Sequence, residues 1–201
     1  MMGAMEISVR GLRPEEQWLA AAVSARSLRD DPSTVAMYGP DPIARASSLH
    51  SLFRDHFRTL PAPQMAAFYG ELLVGVAAAA APGGCIGALM GNVAEKVLAL
   101  EISPDAAHTP EMFWAHWAVR DLAEPHWHLG PVGVEPGYQG AGVGTAMLRA
   151  LCDVYDRDRQ VAWLETDKEK NVRFYSAAGF EVAEATTVMD VPIWFMRREP
   201  A

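Results

Sequence analysis

Cysteine is nearly missing from this chain: of 201 residues only Cys85 and Cys152 are cysteines. They stand far apart, with no second Cys or paired His at a metal spacing, so neither a disulfide framework nor a zinc site is expected. A reducing, cytoplasmic setting suits such a chain. Basic residues are also in deficit, 17 Lys plus Arg against 25 Asp plus Glu, a formal net charge of -8. That far field repels phosphate polymers and anionic membranes, so neither nucleic acid nor a membrane is an expected partner, whereas a cationic amine is mildly attracted. Long apolar runs are absent as well. The opening MMGAMEISVR holds no signal-peptide core, and charges interrupt each later apolar stretch before a membrane-spanning length is reached. Internal repeats, low-complexity linkers and composition breaks are lacking, and one domain over 1–201 is expected.

What the chain does have is a packed protein's balance, 50% apolar and 21% charged residues. Met5 to Val9 reads as a strand, and Pro14 opens a helix with Glu15 and Glu16 in its first turn, stopped at Asp31-Pro32. Asp41-Pro42 caps a second helix whose stripe is Ile43, Ala46, Leu49, Phe53 and Phe57, with His50 and His56 at the surface. Met65–Tyr69 and Leu72–Ala80 form a hairpin around Gly70-Glu71. A helical period runs from Cys85 to Ile102, and after Ser103-Pro104 a further helix starts at Thr109-Pro110 and carries Phe113, Trp114 and Trp117. Strands at Trp127–Val134 and Val161–Thr166 flank a helix from Gly142 to Tyr155. A short helix, Asn171 to Ala178, is stopped by Gly179, and Phe180–Val188 and Pro192–Met196 close as strands. Both cysteines fall inside helices by this reading.

The segment HLGPVGVEPGYQGAGVGTAML carries the most chemistry. A strand ends in a glycine-rich turn and runs directly into an amphipathic helix, a junction that binds anions. Gly140, Gly142 and Gly144 let backbone approach a ligand, and the free amides of the first helical turn point at it. The glycines are each two apart, which does not match the dinucleotide fingerprint, and no lysine accompanies Thr145, which excludes a P-loop.

The remaining pattern, Gln139-x-x-Gly142-x-Gly144, resembles the pyrophosphate loop of the GNAT superfamily of acyl-CoA-dependent N-acetyltransferases. A second block in the right order, LETDKEKNVRFYSAAGFEV, resembles that family's later strand, Asn-x-x-Phe-Tyr helix and Gly-Phe strand. Within the superfamily the arrangement from Trp127 to Arg198 looks most like puromycin N-acetyltransferase relatives, and the best-matched cofactor half spans about 110–198. The resemblance implies an α/β fold: a mixed, largely antiparallel sheet of about seven strands, parted at the cofactor groove, with helices on both faces. It implies acetyl-CoA as cosubstrate, held by Val132, Gly133, Val134, Gln139, Gly140, Ala141, Gly142, Val143, Gly144, Thr145 and Asn171. Ala141 stands where many relatives carry a basic residue.

Aminolysis of a thioester needs a deprotonated amine, a polarised carbonyl and a proton for the leaving thiolate, with the reactants held together. Pro131 gives no amide to a strand ladder, so it marks either a bulge where strands part or an edge strand. If the strands part, the Val134 amide is the donor to the thioester carbonyl. Tyr175 resembles the tyrosine that protonates the coenzyme A thiolate, its alternative being a core aromatic beside Phe174. The base is Glu165 or His128, the latter placed where other family members often carry a glutamate. Asn171 is a helix N-cap, a cofactor contact, or both. Asp153, Asp156 and Asp158 read as solvated charges mixed with Arg157 and Arg159, so no metal is expected. The expected activity is transfer of an acetyl group to the primary amine of a small molecule in a ternary complex, by a monomer or homodimer. The alternatives are an acyl-CoA sensor without catalysis and a protein N-acetyltransferase.

Overall fold

The computed structural model describes residues 6–61, 63–100 and 110–201. In chain order the elements are β1 (Ile7–Gly11), α1 (Gln17–Leu28), α2 (Pro32–Tyr38), α3 (Pro42–Thr59), β2 (Gln64–Tyr69), β3 (Leu72–Ala80), α4 (Ile86–Met90), α5 (Val93–Leu100), α6 (Pro110–Ala118), β4 (His126–Val134), α7 (Val143–Asp158), β5 (Val161–Thr166), α8 (Glu169–Ser176), β6 (Glu181–Val188) and β7 (Val191–Arg198). The seven strands form one sheet in the order β1-β2-β3-β4-β5-β7-β6. Each adjacent pair is antiparallel except β4 and β5. That parallel pair needs a crossover, which α7 supplies.

Alternation along the strands splits the core between two faces. Val143, Met147, Leu148, Leu151 and Tyr155 of α7 cover Ala77, Trp127, Leu129, Leu164 and Met196 on one face. On the other, Ala20, Ala21 and Val23 of α1 and Leu49, Phe53 and Phe57 of α3 cover Ala66, Phe68, Val76 and Ala78. Phe113 of α6 packs there too, against Trp163, Ile193 and Phe195. Small residues in β3 make room for both layers. A Cβ added at Gly75 would come within 2.8 Å of Met147 and Val143 of α7.

Several local expectations shift. Pro14–Glu16 is a 3-10 turn, and α1 begins after it at Gln17. Asp31-Pro32 ends one helix and also starts another, α2, with proline in its first turn. Asp31 makes no cap hydrogen bond there, because its carboxylate is bonded by Lys168. Asp41 does cap α3, accepting from the Ile43 amide at 2.9 Å. Ile43 itself is 80% exposed at the helix tip, while Arg45 is buried and donates to the carbonyls of Arg29 and Gly39. His56, expected at the surface, is partly buried with Nε2 enclosed, and burial lowers its imidazole below the ordinary range. The helical stretch after Cys85 is broken at Gly91, whose φ is +47°, into α4 and α5. Cys85 precedes α4 and is not interior to it, whereas Cys152 lies within α7. Met5, Ile102, Ser103-Pro104 and Thr109 lie outside the described residues. Among those described, no helix is long and apolar enough to cross a membrane.

Candidate active site

The β4–β5 pair builds the site by separating. Pairing covers His126↔Val161, Trp127↔Ala162 and His128↔Trp163 and then stops, although β4 continues to Val134 and β5 to Thr166. On the other edge of β4, Leu129 pairs with Ala79 and Val132 with Ala77, so Gly130 and Pro131 together oppose Ala78. Pro131 therefore sits in a bulge of a central strand, where its missing N–H leaves no ladder bond unmade and the strand bends.

Beyond the bulge the free backbone faces the gap. The Glu135 amide donates to the Val74 carbonyl at 2.8 Å, toward β3. Successive amides alternate sides, so the Val134 amide points the opposite way, into the space β5 has left. The Val134 carbonyl accepts from Gln139 Nε2 at 3.2 Å on that side, which ties the glycine turn to the strand end.

The turn passes through Gly140 at φ +79° and Gly142 at φ +82°, left-handed conformations that strain residues bearing a Cβ. Gly142 is the N-cap of α7 and has no side chain to satisfy the helix start. The first helical bond runs from the Ala146 amide to the Gly142 carbonyl at 3.0 Å. The amides of Val143, Gly144 and Thr145 are thus left as donors at the positive end of a 16-residue helix. A Cβ at Gly144 would lie 3.3 Å from Phe174, so this glycine lets α8 close against the loop.

These features border one cleft of about 420 Å³. Of the positions expected to hold the cofactor, Val132, Val134, Gln139, Gly140, Gly142, Val143, Gly144, Thr145 and Asn171 line it. Gly133 and Ala141 do not: a Cβ at Gly133 would meet Ser24 and Ser27 of α1, and Ala141 is exposed. Asn171 is the third residue of α8, with Lys168 in the N-cap position, and its Nδ2 donates to Thr166 Oγ1 at 3.1 Å. The N-cap alternative is thereby removed. Sequence reasoning missed Ser27, Leu28 and Asp31 at the end of α1, Tyr138, and the pair Lys168 and Lys170, all of which line the same cleft. The two lysines beside Asn171 were a readable cationic signal; the α1 residues had none. Burial pushes the Asp31 carboxyl up to about 6, against the pull of the Lys168 ammonium.

Tyr175 of α8 lines the cleft and is buried between Phe174 and Phe180. Burial first, then the Glu165, Asp31 and Asp167 carboxylates, push its phenol well above the ordinary value of 10.0. It therefore stays protonated across the physiological range. Glu165 and His128, rivals in the sequence, touch: His128 Nε2 lies 2.8 Å from Glu165 Oε2. Burial by itself lowers the His128 imidazole, but the Glu165 charge and the contacts with Asp121 and Cys85 outweigh it and hold the ring well above its ordinary range. Neither His128 nor Glu165 is among the residues that line the cleft itself. Elsewhere, Asp156 is bonded by Arg198 at 2.6 and 2.8 Å, an ion pair near the chain end.

A strand pair opened beside a helix N-terminus, with a neutral phenol in the same cleft, suits a thioester cosubstrate with a diphosphate. Comparison with known proteins agrees. Residues 37–180 match the family model described as Acetyltransferase (GNAT) family. A stretch of 64 residues is 31% identical to glucosamine 6-phosphate N-acetyltransferase from Trypanosoma brucei brucei, covering 32% of this chain and 44% of that protein. The chain thus spans less than half the length of that curated relative. Among solved structures, one described as histone acetyltransferase HPA2 and related acetyltransferase from Corynebacterium glutamicum superposes with a TM-score of 0.69, 20% identity and 98% of each chain covered. The polyamine N-acetyltransferase of Drosophila melanogaster gives a TM-score of 0.68 at 14% identity, over 96% of this chain and 100% of that one. With the family model spanning most of its length and the fold shared along nearly all of it, the chain belongs to the GNAT family of N-acetyltransferases.

Proposed function

We propose that the protein transfers the acetyl group of acetyl-CoA directly to the primary amine of a small molecule, both reactants being bound together. The observation that carries this reading is the cleft itself, where the parted strands, the three free amides of α7 and Tyr175 border one space.

In this reading the amides of Val143, Gly144 and Thr145, with Lys168 and Lys170 nearby, bind the diphosphate. The backbone of Val132 and Val134 takes the pantetheine arm as an added strand, and the Val134 N–H polarises the thioester carbonyl. Glu165 accepts the proton that the incoming ammonium must lose, and His128 holds that carboxylate in place through Nε2. Tyr175 donates its hydroxyl proton to the sulfur as the carbon–sulfur bond breaks. Neither cysteine enters the reaction; both are buried, and burial raises the Cys152 thiol, which makes it a poorer nucleophile.

The relative named for glucosamine 6-phosphate and the structural neighbour named for polyamines support a small amine as acceptor. The likeness of residues 127–198 to puromycin N-acetyltransferase adds aminonucleosides to the candidates. Thiol release from acetyl-CoA, measured across aminonucleosides, polyamines, agmatine, glucosamine 6-phosphate and peptides, tests the proposal. Saturable turnover on a small amine is the expected result. Turnover on peptides alone, or tight cofactor binding with no turnover on any amine, overturns it.

The loop has its own test. Gly142→Ala meets no neighbouring atom but adds about 1–2 kcal/mol of left-handed strain. Acetyl-CoA affinity, read by calorimetry, is expected to drop about 5- to 30-fold, while turnover at saturating cofactor stays near that of the parent.

A further inference from the structure

Trp127 and Leu129 pack beneath α7, so alternation along β4 turns His126 and His128 toward the opposite face of the sheet. There Cys85, from the stretch before α4, and Asp121, from the stretch after α6, come to meet them. The thiol, one carboxylate oxygen and one nitrogen of each ring all lie within 4.8 Å of one another. Nothing in the acetyl-transfer reading uses this convergence.

The hydrogen-bond inventory of the two imidazoles is what makes it informative. His126 Nδ1 lies 2.8 Å from the Glu124 carbonyl, and His128 Nε2 lies 2.8 Å from the Glu165 carboxylate. A carbonyl and a carboxylate only accept, so those two nitrogens carry the hydrogens. A bound cation would displace any proton from the other two nitrogens, so that His126 Nε2 and His128 Nδ1, both turned inward, would present their lone pairs to it. Both atoms are buried and make no hydrogen bond among the described residues, although Asp121 Oδ1 stands 2.7 and 3.4 Å away. Asp121 cannot swing aside. Its Oδ2 accepts from the Gly87 amide at 2.9 Å and its Oδ1 from the Leu122 amide at 3.1 Å, and a Cβ at Gly87 would come within 2.6 Å of it.

Two ring nitrogens, a carboxylate oxygen and a thiol therefore face one another in a buried spot, with the Asp121 carboxylate turned to the other three. A cation resolves all four at once. We infer that Cys85, Asp121, His126 and His128 form a tetrahedral binding site for a divalent transition metal, with zinc as the ion that fits best. One sulfur, two nitrogens and one oxygen form a borderline-soft set that zinc takes and that magnesium and calcium do not. The charges also balance, since a thiolate and a carboxylate neutralise the ion exactly where burial makes an unbalanced charge costly. Glu124 and Glu165 then act as the outer partners that fix the ring tautomers, as is usual around metal-bound histidines.

Four protein ligands leave no open position, so the ion is structural. It fastens both ends of the segment that carries α4 to α6 onto the central strand. It also sets the ring that holds Glu165. Metal content can be read with no substrate present, so the site stands or falls separately from acetyl transfer.

The protein purified without chelators is expected to carry about one zinc per chain by plasma emission analysis. After zinc is exchanged for cobalt(II), the spectrum should show intense tetrahedral bands and a thiolate-to-cobalt charge-transfer band. Because the chain has two cysteines, persistence of that band in Cys152→Ser assigns it to Cys85 even if Cys85→Ser fails to fold. His126→Gln should weaken zinc by more than the roughly 10- to 100-fold that loss of an outer partner costs. A parent protein that takes up neither zinc nor cobalt, a weak octahedral cobalt spectrum, or a thiolate band lost in Cys152→Ser overturns the site.

Discussion

Tyr175→Phe is expected to lower turnover by about 10²- to 10⁴-fold, the range supplied by one positioned general acid, while acetyl-CoA affinity stays within about two-fold. That loss corresponds to about 2.7–5.5 kcal/mol of transition-state stabilisation. The two effects separate because the substitution removes a single oxygen. The ring remains wedged between Phe174 and Phe180, and the loop amides that would hold the diphosphate lie at the start of α7, on a different element. Only the proton for the departing sulfur is gone. The phenol is also suited to that task over a wide range of pH. Burial and the surrounding carboxylates raise it above the ordinary value of 10.0, so it deprotonates only beyond that point. Turnover should therefore show no alkaline decline attributable to Tyr175 below about pH 10. Steady-state thiol release, paired with calorimetric titration of the cofactor, checks both statements. A variant that retains near-normal turnover would leave Tyr175 as a packing residue.

Glu165→Gln should cost turnover about 10²-fold or more. Glutamine keeps the side-chain length, and its amide oxygen still accepts from His128 Nε2, so the local geometry survives. What it lacks is the capacity to take up a proton. His128 is the weaker choice for that role on geometry alone: Nε2 is committed to Glu165 and Nδ1 faces Asp121, so neither ring nitrogen is turned to an acceptor amine. The prediction is read as kcat with the best amine from the panel. Activity within about three-fold of the parent would mean that the amine reaches the cleft already deprotonated by water, and that Glu165 serves only to hold the strand end.

Local signals carried far in the second half of the chain. Pro131 in a strand, glycines at left-handed positions and a 3.6-residue period place β4, the turn, the start of α7 and β5 to within a residue, because each depends on backbone sterics within a few residues, while α7 runs three residues past Tyr155 to Asp158. The α8 start was two residues off, and with it the N-cap role of Asn171, since Lys168 carries no side-chain cap that a sequence would betray. In the first half the same Asp-Pro signal opens a helix twice, at Asp41-Pro42 and also at Asp31-Pro32, where the stop of α1 hides the start of α2. Ile43 and Arg45 exchanged their expected environments because helical periodicity locates a stripe but not the edge of the surface it meets.

By itself, then, the order of residues determined the glycine turn that opens α7, a strand interrupted at Pro131, and the aromatic helix that follows, all of which rest on short-range stereochemistry. Only the tertiary structure decided that Glu165 and His128 form one unit, that Asp31 and Lys168 close the cleft, and that Cys85 and Asp121 meet His126 and His128. The contacts between Glu165 and His128, between Asp31 and Lys168, and from Cys85 to the other three residues of its cluster join positions 36 or more apart, and their formation depends on how the sheet twists and which helices cover it. No pattern of neighbouring residues encodes such distances, because they are set by the packing of the whole domain.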